Sequence, residues 1–83
     1  MAPTNEDRSL AHRALVTQSL SERDQKILEV FARGLSYFEM AKELVAMGVF
    51  RHPTEEMLKG RIDFIIGRQK RREISGIAQR SQG

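Results

Sequence analysis

No cysteine occurs among the 83 residues, which removes disulfides and thiolate zinc sites and fits a reducing compartment. No apolar run approaches the roughly 20 residues that a membrane-spanning helix needs. The opening "MAPTNEDRSL" carries acids and no apolar h-region, so a signal peptide is not expected. Internal repeats, low-complexity tracts and the apolar–polar alternation of half-buried strands are also missing. What remains is one small domain, expected to be cytoplasmic, whose stability must come from helix packing, with or without help from a partner.

Charge is present but uneven. The net charge is +3 and the pI about 9.8, a balance that permits nucleic-acid contact without demanding it. "RQKRR" (Arg68 to Arg72) supplies most of the positive density, while Glu55 and Glu56 lie upstream. The run reads equally as a solvated helix end or as a phosphate-contacting patch.

Residues 1–7 lack periodicity and are expected to form a tail. Leu10, Ala11, Ala14 and Leu15 make one narrow apolar stripe, consistent with a short helix. In "SERDQKILEVFARG", Ser21 suits an N-cap with Asp24 at the capping-box position. Ile27, Leu28, Phe31 and Ala32 follow at helical spacing, and Gly34 suits a left-handed C-terminal cap. "SYFEMAKELVAMG" repeats this grammar with Ser36 and Glu39 as capping box, Phe38, Ala41, Leu44 and Val45 as stripe, and Gly48 as stop. Pro53 biases His52 away from helix, and Val49 and Phe50 are apolar enough to fold back onto the core. Thr54 suits the N-cap of a last helix from about Glu55 into "RQKRRE", followed by a tail at 75–83. The fold class is all-α, a small domain of three to five helices over residues 8–74.

"LSERDQKILEVFARGLSYFEMAKEL" resembles the start of the LuxR-type helix-turn-helix. Leu20, Ser21, Gly34, Leu35, Ser36, Glu39, Ala41 and Leu44 occupy matching places, and "LKGRIDFII" looks like that family's recognition-helix segment, with Lys59 at the position of its usual lysine. The resemblance covers about half the chain. It departs at "VAMGVFRHP", where the family's turn is only about three or four residues. A divergent helix-turn-helix of this shape is also similar to the small domain of regulators in integrative and conjugative elements. That group includes stand-alone antiactivators of the QseM type, which bind activators instead of DNA.

The last helix offers two faces. With Leu58 at zero and about 100° per residue, Leu58, Ile62, Ile65 and Ile66 share one arc, the expected core face. Met57, Gly60, Phe64 and Gly67 form a strip roughly opposite, continued by Arg71. Each glycine costs a helix interior about 1 kcal/mol against alanine and would let another backbone approach. The strip is covered either by the first helix within the monomer or by a partner helix or groove. For DNA, Lys59, Arg61, Arg68, Lys70 and Arg72 are the candidate phosphate contacts, but the first turn, "TEEM", would carry two carboxylates into a groove rich in acceptors.

Catalytic chemistry has no visible carrier. His12 and His52 are far apart and without cysteine company, so surface imidazoles are expected before metal ligands. Gly60 and Gly67 lie inside a helix pattern instead of a phosphate loop, and Ser21 and Ser36 are accounted for by capping. Tyr37 is expected in half-buried packing. No enzyme activity, metal or cofactor is expected. The resemblance implies a small transcription regulator: an antiactivator whose protein partner is a quorum-sensing or conjugative-transfer activator, or else a DNA-binding repressor or activator using the last helix. Oligomeric state is not legible.

Overall fold

A computed structural model of the chain describes residues 5–82, with side chains described for residues 5–75. Four helices account for the architecture: α1 (Asn5–Thr17), α2 (Glu22–Ala32), α3 (Tyr37–Ala46) and α4 (Glu55–Gln82). No strand occurs among the described residues, so the all-α class and the helix number agree with the sequence.

The local chemistry of the helix ends explains their positions. Ser21 Oγ accepts from the Asp24 amide at 3.2 Å, and Ser36 Oγ accepts from the Glu39 amide at the same distance. Thr54 Oγ1 accepts from the Met57 amide at 3.1 Å. Each hydroxyl satisfies an amide that the first helical turn leaves without a partner. At the other ends, Gly34 and Gly48 have φ of +86° and +74°, the left-handed conformation in which a Cβ is costly. After α3, Gly48 N donates to Val45 O (3.0 Å) and Val49 N to Leu44 O (3.1 Å), the paired bonds of a Schellman turn.

Two helices run further than the sequence suggested. Asn5, Glu6 and Asp7 belong to α1 rather than to a tail. Glu6 and Asp7 sit in its first turn, where the helix dipole favours acids, and Asn5 Oδ1 accepts from Arg8 Nη2 at 2.7 Å. Residues 1–4 of the expected tail lie outside the described residues. α4 continues to Gln82 through most of the expected tail at 75–83, because one glycine at 76 costs propensity without supplying a stop; residue 83 lies outside the described residues.

The core takes Leu10, Ala11 and Ala14 from α1, Ile27, Leu28, Val30 and Phe31 from α2, Met40 and Leu44 from α3, and Leu58, Ile62, Ile65 and Ile66 from α4. The whole expected face of α4 is therefore buried. Val49 and Phe50 pack against the core from the connection, and Tyr37 is half-buried, both as expected.

The expected face of α3 is corrected. Phe38 is 62% exposed and Val45 47%, whereas Met40 is fully buried. Positions 37, 40, 41 and 44 form one apolar arc and 38, 41, 44 and 45 another, with Ala41 and Leu44 common to both. The turns on either side decide between them, since Leu35 and Val49 are both drawn against the core. Burying those two rotates Phe38 and Val45 outward.

A polar seam ties α1 to α4. Gln18 Nε2 donates to Ile65 O (3.3 Å) and to Gln69 Oε1 (3.0 Å), with both glutamines buried. The Thr17 hydroxyl lies 3.1 Å from the same Gln69 oxygen. Gln69 Nε2 donates to Glu73 Oε2 (2.9 Å), which also accepts from Arg13 Nε (2.7 Å). Hydrogen bonds from Arg13 and then Gln69 hold the Glu73 carboxyl below its ordinary value, and the Glu73 hydrogen bond raises Arg13.

Candidate functional site

The outward face of α4 resolves into separate parts. Phe64 is 50% exposed, so α1 does not cover it; α1 meets α4 on the Ile65–Gln69–Glu73 side instead. The Arg61 and Arg68 guanidinium carbons lie 5.8 and 5.1 Å from the Phe64 ring centroid. An aromatic ring held between two cations is attracted to both through its quadrupole. Beside it Gly60 is exposed, and a Cβ added there would meet nothing within 4 Å. Arg71 is exposed too, with Nη1 3.6 Å from a Cβ built on Gly67.

Met57 and Gly67 depart from this strip. Met57 is half-buried and packs against the core, lining a small hollow with Ile27 and Phe50. Its flexible thioether side chain reaches that gap from the edge of the apolar arc. Gly67 is half-buried at a polar cleft lined also by Asp7, Tyr37, Asp63 and Lys70. Burial first, then the Asp63 and Asp7 carboxylates, raises the Tyr37 hydroxyl above its ordinary value. The exposed strip therefore comprises Gly60, Phe64 and Arg71.

The candidate phosphate contacts are dispersed as well. Arg61 donates to both oxygens of Asp24, from Nε at 3.2 Å and from Nη2 at 2.5 Å, and this pairing raises the guanidinium further. It thereby joins α4 to the start of α2. Asp24 was expected to complete the capping box, but its side chain reaches Arg61 instead; aspartate is one methylene shorter than the usual glutamate of that motif. Within "RQKRR", Gln69 is buried while Arg68 and Lys70 project to opposite flanks, about 160° apart around the helix. Lys59, Arg68, Lys70 and Arg72 are exposed, but they do not make one face.

Sequence reasoning missed Gln69, although its spacing from Ile62, Ile65 and Ile66 continues the core arc and carried the signal. Gln18 gave none, because it lies just beyond the last helical residue of α1. His12 and His52 are exposed, and no group of acids and imidazoles suited to a metal ion occurs among the described residues. No described helix is long and apolar enough to cross a membrane. Set against protein-family models, curated proteins and solved structures, the chain matches none.

Proposed function

We propose that the protein is a small transcription regulator that acts as an antiactivator: it binds a transcriptional activator and masks that protein's DNA-binding or dimer surface. One observation carries the protein-binding part of this reading. Phe64 stands half-exposed on α4, with Arg61 and Arg68 at its ring, beside a glycine that leaves room for a second backbone. Exposed aromatic and arginine side chains on a pre-organised element are the residue types that dominate binding energy at protein interfaces. The transcriptional part draws on the helix-turn-helix resemblance of residues 20–44, and quorum-sensing or conjugative-transfer activators are the targets it suggests.

DNA binding through α4 is the second reading, favoured by the exposed Lys59, Arg68, Lys70, Arg71 and Arg72. Against it stand Glu55 and Glu56 in the first turn, the engagement of Arg61 by Asp24, and the spread of the basic run around the helix. The two readings separate by salt, because phosphate-driven binding weakens steeply as salt rises. Purified protein is expected to give no sequence-selective mobility shift at physiological salt and to co-purify with an activator from its host. A tight, sequence-selective DNA complex at that salt, lost when Lys59, Arg68, Lys70 and Arg71 are neutralised together, would overturn the proposal.

A further inference from the structure

The exposed side of α3 carries a second apolar surface. Phe38, Ala41 and Val45 recur along it at helical spacing, a stripe about 10 Å long at 1.5 Å per residue. Ala41, Val45 and Ala46 face Pro53 of the following connection across an open groove of ≈ 510 Å³. The remaining lining residues are Lys42, Arg51 and His52. No carboxylate lines the groove: Glu39 accepts from the Ser36 hydroxyl at the start of α3, and Glu43 lies off the lining. Lys42 Nζ is 5.5 Å from the Phe38 ring centroid, so cation and aromatic stand together at one margin.

An apolar floor of Ala41, Val45 and Ala46, extended along α3 by the exposed Phe38, suits a helix laid into it. A cationic margin without acids suits an occupant that carries carboxylates beside its apolar residues. A second copy seated groove to groove would bring a second cationic margin of Lys42 and Arg51 into the same interface, in a chain already at net charge +3. We propose that the groove between α3 and residues 51–53 is a docking site for an acidic amphipathic helix of a partner protein. The site lies on a different helix from the Phe64 surface and does not depend on it.

The test uses the full, isotope-labelled chain and three synthetic helical peptides, with amide chemical shifts as readout. One peptide carries leucines on one face flanked by glutamates, the second has lysines in place of the glutamates, and the third is a scramble of the first. The glutamate peptide is expected to shift Ala41, Val45 and Arg51 amides, and to bind less well as salt rises. Val45→Glu, at a position already exposed, should remove binding while the remaining amide spectrum stays folded. Lys42→Glu combined with Arg51→Glu should weaken the glutamate peptide by roughly tenfold or more and transfer preference to the lysine peptide. Phe64→Ala should leave the titration intact. Equal binding of the acidic and basic peptides would overturn the proposal, as would shifts only around Phe64. Concentration-dependent shifts of the groove amides without peptide would assign the groove to a second copy and overturn it as well.

Discussion

Replacing Gly60 by alanine should make the domain more stable. Gly60 lies in the second turn of α4 with negative φ and an exposed backbone, and an added Cβ would meet nothing within 4 Å. No steric or burial contribution enters, so the helix-propensity difference stands alone, about 1 kcal/mol in favour of alanine. For a domain of this size that corresponds to a rise in melting midpoint of roughly 4–8 °C. Gly34→Ala is the internal control and should move the other way. Its φ of +86° disfavours alanine, and the new Cβ would fall 2.7 Å from Arg8 Nη1. The left-handed backbone alone costs about 1–2 kcal/mol, while the Arg8 side chain can swing aside. Thermal denaturation followed by far-UV circular dichroism reads both variants. If Gly60→Ala lowered the midpoint or left it unchanged, position 60 would not be an open helical site. If it raised the midpoint and also weakened activator capture, the glycine would be kept for close approach at the interface.

Phe64→Ala should weaken activator binding by roughly 2 kcal/mol or more and shift unfolding by less than about 1 kcal/mol, the range of a partly exposed cation–π contact. Ile62→Ala, at a fully buried position, should instead cost roughly 2–5 kcal/mol of stability; equal destabilisation by the two would return the Phe64 strip to the monomer core. Glu73 has a lowered pKa in the folded chain, so the unfolded chain takes up its proton first on acidification. Its contribution is therefore present above the unfolded value and is lost as pH falls through the folded one. Glu73→Gln should flatten the acid limb of a urea-midpoint series, and an unchanged limb would remove the carboxylate from that dependence.

The starts of α2, α3 and α4, the stops of α2 and α3, and the inner face of α4 were legible because each rests on local chemistry, whereas the start of α1 and the end of α4 were not. Ser21, Ser36 and Thr54 cap amides a few residues away, and Gly34 and Gly48 meet a backbone requirement of their own position. Leu58, Ile62, Ile65 and Ile66 form an arc with no equally apolar competitor. α3 was misread because two arcs of similar apolarity overlap on it, and the choice between them rests on packing from other segments, with Leu35 and Val49 on either side drawn against the core. Asp24 was misread for a related reason. Its amide obeys the local capping rule, but its carboxylate serves Arg61, 37 residues away, a separation no window on the sequence spans. The candidate surface divides the same way: the wheel set Phe64 apart from the core face but left open whether α1 covered it, and the inward lean of Met57 depended on Phe50 and Ile27 arriving from other segments.

The polar seam between α1 and α4 gives this small protein a register lock. The apolar part of α1 that meets the core is short and half alanine: Leu10, Ala11 and Ala14 are buried, and Leu15 packs at the margin. Small residues in such a stripe resist a slide along α4 less than a run of large side chains would. Gln18 and Gln69 oppose the slide. Moving α1 by one helical turn, about 5.4 Å, would part the two amides and press each against hydrocarbon, at a cost of roughly 1–3 kcal/mol per buried group left unpaired. The glutamines therefore act as a key and ward, adding little to the depth of the native well while removing its neighbours. An exchange of α1 between two chains would meet the same constraint, since the incoming helix would have to present its Gln18 to the other chain's Gln69 at the same height.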